Sequence, residues 1–191
     1  MRAPIYILGL DTSAAHCAVA LMRDGVIIER VAEDMSKGQA ERLMGLIDEV
    51  MVRNGVTYSD LSAIGVGVGP GNFTGIRIGV SAARGLALGL GIPAYGIDGF
   101  DQREGYNPDA PYQCVPAPRD QMYVRRGSVA AMQGRDLLDQ IPDEPSPADL
   151  AASVAQLAHS RWPDPAPAPA PYYLRAPDAA PARDAPPTIL P

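Results

Sequence analysis

Apolar residues run through positions 5–10 with only Gly9 as a pause, which predicts a strand buried on both faces. Asp11-Thr12-Ser13-Ala14-Ala15 then turns the chain. The stretches 18–22 and 26–31, apolar except for Glu29 and Arg30, flank Arg23-Asp24-Gly25. An Asp-Gly pair tolerates the positive φ of a tight hairpin, so a three-stranded antiparallel meander is expected. Ser36-Lys37-Gly38-Gln39 has the S-x-x-Q form of a capping box and should open a helix that stops at Asn54-Gly55. The apolar residues of that helix are Ala40, Leu43, Met44, Leu46, Ile47, Val50 and Met51, more than one sheet-facing stripe needs. Either a second partner covers the surplus, or Met44 and Leu46 are simply exposed.

Positions 63–68 alternate β-branched residues with glycine and read as a buried strand, broken at Gly69-Pro70-Gly71-Asn72. A second helix is expected from Thr74 to about Leu88. Along it Gly75, Gly79, Ala83 and Ala87 recur every fourth residue, a flat strip that lets another helix approach closely, from this chain or from another. Residues 93–97 give a fifth strand, and 98–106 a short helix or loop. The order β-β-β-α-β-α-β is that of an α/β protein built on an actin-like ATPase or ribonuclease-H-like half-domain.

Beyond residue 99 the pattern thins. Two strands are expected at 112–117 and 121–125 around Pro118-Arg119-Asp120. Ser146-Pro147 opens a helix carrying Leu150, Val154, Leu157 and Ala158. Positions 163–171 alternate Pro with Ala or Asp, as in a polyproline-II linker, and Tyr172-Tyr173-Leu174 is placed to dock on the core. From Arg175 the tail is rich in proline and alanine and expected to be disordered. This reading divides the chain into an actin-like domain at 1–99, an abbreviated second domain at 100–162 and a linker with tail at 163–191.

Composition narrows the function classes. With 191 residues, 47% of them apolar, the chain can bury a substantial core. A formal charge of −6 argues against binding nucleic acid alone through a broad basic face. Cys17 and Cys114 form no C-x-x-C pattern, which disfavours zinc and suits a reducing compartment. Met1-Arg2-Ala3-Pro4 resembles no signal peptide, and the apolar stretch 76–92 is broken by Arg77 and Arg84, so no membrane segment and a cytoplasmic location are expected.

A glycine-rich turn from strand to helix can cradle phosphate with its N–H groups. Here no register gives G-x-G-x-x-G or G-x-x-x-x-G-K-[ST], and the only lysine is Lys37. From the residues alone the loop is either structural or ligand-facing. As a string, Gly67-Val68-Gly69-Pro70-Gly71-Asn72-Phe73-Thr74-Gly75-Ile76-Arg77 resembles the G-x-G-P-G-[ST]-F-T-G-[IVL]-R signature of the bacterial TsaB (YeaZ) family. Ala40-Glu41-Arg42-Leu43, Leu10-Asp11-Thr12-Ser13, Gly89-Leu90-Gly91-Ile92-Pro93 and Tyr173-Leu174-Arg175-Ala176-Pro177-Asp178 add to it. The resemblance is close from Ile5 to about Gly99 and patchy after it. Gln39 stands where many family members have histidine.

The resemblance implies a non-catalytic scaffold or dimerisation subunit that partners TsaD. Together with the ATPase TsaE, it would serve threonylcarbamoyl transfer to the adenosine beside the anticodon of ANN-reading tRNAs. tRNA would be met only through the complex, ATP and Mg²⁺ would be used by the complex, and a homodimer is a further pairing. No catalytic residue, metal ligand or cofactor of the isolated chain is expected. Asp11, Thr12 and Ser13 stand where actin-like ATPases place a phosphate-positioning carboxylate, although Asp-Thr-Ser after a strand equally makes an Asx turn. The second phosphate loop of those ATPases is not matched by Ile97-Asp98-Gly99, and His16 with His159 cannot form the H-x-x-x-H pair of TsaD. The expected partner interface is Met44, Ile47, Met51, Gly75, Gly79 and Ala83. Gly69, Pro70, Gly71, Asn72, Phe73, Thr74 and Arg77 are expected to hold the loop's shape. The alternative is an independent nucleotide-dependent enzyme of the actin-like superfamily, a small kinase or ATPase.

Overall fold

A strand buried on both faces, β1 (Tyr6–Asp11), lies at the centre of a five-stranded sheet in the computed structural model, which describes residues 3–174. The Arg175-Ala176-Pro177-Asp178 match and the expected tail lie outside those residues. Next to β1 on one side run β2 (His16–Arg23) and β3 (Val26–Asp34), both antiparallel, turning at Asp24 and Gly25 with φ of 49° and 84°. On the other side β4 (Leu61–Gly67) and β5 (Ala94–Ile97) pair in parallel, giving the order β3-β2-β1-β4-β5. The architecture is the actin-like, ribonuclease-H-like α/β sheet that the pattern predicts.

One face of the sheet is covered by α1 (Gln39–Arg53) and α2 (Phe73–Leu90). Leu43, Ile47 and Val50 of α1 and Ile76, Val80 and Ala83 of α2 pack there against Leu8, Leu10, Val19, Leu21, Ile64 and Val66. The opposite face is covered by α4 (Pro147–Arg161), whose Val154, Ala155 and Ala158 meet Ile7, Met22, Ala63, Tyr95 and Ile97. Ser146 caps α4 by accepting from the Asp149 N–H at 3.2 Å, as its sequence predicts. The helix lies unusually close to the strands: Gly9 and Gly65 are register neighbours, and a Cβ on either would strike the α4 backbone at Ala151 or Val154. The sheet of residues 1–99 is therefore completed by a helix from beyond 99. A boundary at that residue does not describe how the sheet is covered.

Between these units α3 (Gly99–Glu104), capped by Asp98, leads to an antiparallel sheet of β6 (Gln113–Ala117), β7 (Gln121–Arg126) and β8 (Val129–Gly134). Two of these strands follow the sequence pattern. The third, Val-Ala-Ala-Met-Gln-Gly, has no period-two alternation and is largely solvent-facing, so only the pairing with β7 makes it a strand.

The capping box at Ser36 does not form. Gly38 is the N-cap, with φ 89° and no side-chain cap, and Gln39 turns inward instead. Its amide donates to Ala14 O at 2.9 Å and His16 O at 3.4 Å, tying the start of α1 to the β1–β2 turn. Residues 163–174 return along the edge of β5. Tyr95 Oη donates to Asp164 O at 2.8 Å, and the Tyr172 N–H to Val68 O at 2.7 Å. The aromatic segment docks on the core, as its composition suggests.

Candidate functional site

Asp11 closes β1, and its carboxylate is fully buried. Oδ1 accepts from the Ser13 N–H at 2.9 Å, the Ser13 hydroxyl at 2.8 Å and His16 Nε2 at 2.9 Å. Oδ2 accepts from Gln102 Nε2 at 3.2 Å, the same nitrogen reaching Ile97 O at 3.3 Å. Burial pushes the Asp11 carboxyl up. Against it, the hydrogen bond and charge of His16 and the two bonds from Ser13 together hold the group below the ordinary carboxylate value.

The glycine-rich segment is folded around this turn. A Cβ on Gly67 would overlap Asp11 Oδ2, one on Gly71 the Ser13 carbonyl, and one on Gly75 the Thr12 carbonyl. Thr12 Oγ1 donates to Gly75 O at 2.7 Å, and a Cβ on Gly79 would lie 2.6 Å from that same hydroxyl oxygen. The Asn72 N–H donates to Ser13 O at 2.6 Å, and Asn72 Oδ1 accepts from the Gly75 N–H at 2.9 Å, capping α2. The loop and the Asp-Thr-Ser turn are therefore one packed unit.

Both Asp11 oxygens already accept from protein donors, and Asp98 Oδ1 caps α3 by accepting from Phe100 and Asp101 N–H groups, each at 2.9 Å. Among the described residues no cluster of three or more His, Cys, Asp or Glu could hold a metal ion.

The expected partner surface is also redistributed. Ile47 and Met51 are buried in the core under α1, and Gly75, Gly79 and Ala83 face Thr12, Val66 and the sheet. The small-residue strip serves close packing inside the chain, so a leucine at Gly79 or Ala83 would strike the core before any partner. Met44 alone of the six is exposed, at 39%. It borders a groove of about 490 Å³ between α1 and α2, lined also by Ala40, Phe73, Arg77, Ile78 and Ala82. Arg42, of the Ala40-Glu41-Arg42-Leu43 match, forks to Glu33 at 2.6 and 2.8 Å and to Glu49 at 2.7 and 2.9 Å, bracing α1 against β3.

Comparison with known proteins bears on these features. The family model of TsaD, tRNA N6-adenosine threonylcarbamoyltransferase, matches residues 11–102, a span that begins and ends at the two side chains meeting at Oδ2. The tRNA threonylcarbamoyladenosine biosynthesis protein TsaB of Escherichia coli is 36% identical over 91 residues, 48% of this chain and 39% of its own. An uncharacterized protein of Mycobacterium tuberculosis is 32% identical over an alignment of 206 positions, covering 92% of this chain and 94% of its own.

The chain belongs to the TsaB (YeaZ) family.

It spans about two fifths of the length of the TsaB relatives it matches, 39% of the Escherichia coli protein and 43% of that from Buchnera aphidicola. A crystal structure from Pseudomonas aeruginosa, described as similar to peptidase YeaZ, overlays on 91% of this chain and all of its own. Its TM-score is 0.68 at 24% identity, a likeness of fold. In this TsaB-family chain the sequence pattern marks neither His16 nor Gln102 as a partner of Asp11, nor Gln39 as the residue that braces the turn beside it through Ala14 O and His16 O. His16 carries a local signal, lying where β2 begins across the turn from Asp11. Gln39 and Gln102 arrive from α1 and α3 with no local signal at all.

Proposed function

We propose that this chain is a non-catalytic, TsaB-type subunit, cytoplasmic, that pairs with TsaD through the α1–α2 groove and works with TsaE in threonylcarbamoyl transfer to tRNA. ATP and Mg²⁺ are used by the complex, and tRNA is met through it. A homodimer is the other pairing available to the same surface. The observation that carries this reading is the Asp11 cluster: the carboxylate an actin-like ATPase would aim at metal and phosphate is committed here to Ser13, His16 and Gln102. Family membership supports the pathway, and the exposed Met44 beside Phe73, Arg77 and Ile78 supports the groove as the contact surface. The formal charge of −6 supports meeting tRNA only in company.

The test is capture of the cognate TsaD by the purified chain, together with ATP turnover by the chain alone. Met44→Asp puts a charge where an apolar contact would be desolvated, and should weaken capture about tenfold or more without altering the circular dichroism spectrum. The isolated chain should show no turnover of ATP. Turnover that disappears in Asp11→Ala would sink the non-catalytic reading, and undiminished capture by Met44→Asp would move the contact elsewhere.

A further inference from the structure

Residues 172–174 touch three parts of the molecule at once. The backbone of Tyr172 bonds the end of β4 through Val68, and its carbonyl lies against Gly69, where a Cβ would come within 2.8 Å. Leu174 packs on the Phe100, Val115 and Tyr123 cluster that joins α3 to the three-stranded sheet. Tyr173 lies between them, over the start of α2. Its ring stacks on Phe73 with centroids 4.7 Å apart and planes 27° from parallel, and its hydroxyl accepts from Arg77 Nε at 3.1 Å. The Arg77 guanidinium in turn sits 4.1 Å from the Phe73 ring centre. Phe73 and Arg77 are both walls of the α1–α2 groove, although Tyr173 is not.

Each of these walls is a long side chain on the first turns of a helix, where it would sample several rotamers if left alone. One tyrosine restrains both, the first by stacking and the second by its hydroxyl. We propose that residues 172–174 form a strap that presets the mouth of the groove, with Tyr173 as the positioning residue that fixes Phe73 and Arg77 before a partner arrives. A preset wall lowers the ordering cost of docking, so the strap contributes to affinity without touching the partner. The link to affinity rests on the groove being the TsaD surface proposed above. The restraint of Phe73 and Arg77 does not.

The two parts are read separately on the whole chain and its Tyr173→Ala and Tyr173→Phe forms. By hydrogen exchange, amides of residues 71–77 should exchange about tenfold faster in Tyr173→Ala, while β1, β2 and β4 keep their protection. Tyr173→Phe keeps the stack, so its exchange should stay within about twofold of the parent. Titration with TsaD should then show affinity about three- to tenfold weaker for the alanine form and mostly restored in the phenylalanine form. Unchanged exchange at 71–77, or equal loss of protection throughout the sheet, overturns the strap whatever TsaD does. Faster exchange with unaltered TsaD affinity overturns the presetting of the groove. A parent chain that does not bind TsaD but shows the local exchange response refutes the partner and leaves the restraint of Phe73 and Arg77 standing.

Discussion

Gly75→Ala is expected to cost about 3 kcal/mol or more of stability, and Gly85→Ala, in the same helix, to add about 0.5 to 1 kcal/mol. The two substitutions add the same methyl group to α2. At Gly75 the new Cβ overlaps the Thr12 carbonyl, whose backbone is fixed by β1 on one side and by the Thr12–Gly75 hydrogen bond on the other. Relief requires the helix start to move away from the sheet and break the Asn72 cap with it. At Gly85 no atom lies within 4 Å of the Cβ position and the residue is exposed, so only the unfolded chain's entropy and the helix preference for alanine change. Urea midpoints of the two variants measure both effects. A Gly75→Ala protein as stable as the parent would show that the loop does not need to lie against the Asp11 turn.

The second large effect belongs to Asp11. Asp11→Ala should destabilise the chain by about 3 to 5 kcal/mol, because His16, Ser13 and Gln102 are left as buried groups without their common acceptor. Asp11→Asn should fall between, since the amide keeps one accepting oxygen and turns an N–H toward a donor. Acid provides an independent reading of the same cluster. The folded carboxyl is held below its ordinary value of 3.8, so its contribution is complete above that pH and is lost as pH falls through the folded pKa. The parent should therefore lose stability on acidification below about pH 4 more steeply than Asp11→Asn does. Parallel acid limbs in the two proteins would mean that Asp11 is not held as a carboxylate by its neighbours.

Much of the frame could be read from the residues, because its signals are local. The β1 run, the Asp24-Gly25 hairpin and the Ser146-Pro147 helix start each specify their element within a few positions. The side to which a helix turns its small residues is not local. Gly75, Gly79 and Ala83 make the same strip whether a partner or the sheet lies against it, and only the position of Thr12 decides for the sheet. Gln39 fails as a cap for a related reason. Its pairing with Ser36 satisfies a local rule, but the carbonyls of Ala14 and His16 are close by in the folded chain and claim its amide. The Asp11 cluster was legible by half: Asp11 and Ser13 belong to one Asx-type turn, whereas Gln102 reaches Oδ2 from 91 residues away.

The seating of α4 has a consequence for synthesis. Ile7, Ala63, Tyr95 and Ile97 are buried only when α4 lies on them, and α4 follows the last strand of their sheet by a whole antiparallel sheet of intervening chain. On the ribosome, where chains lengthen by about 5 to 20 residues per second, the nascent sheet waits several seconds with that face bare. Its other face closes earlier, because α1 and α2 precede β5. A chain stalled in this interval would present one finished face and one adhesive one to the ribosome surface and to any chaperone waiting there.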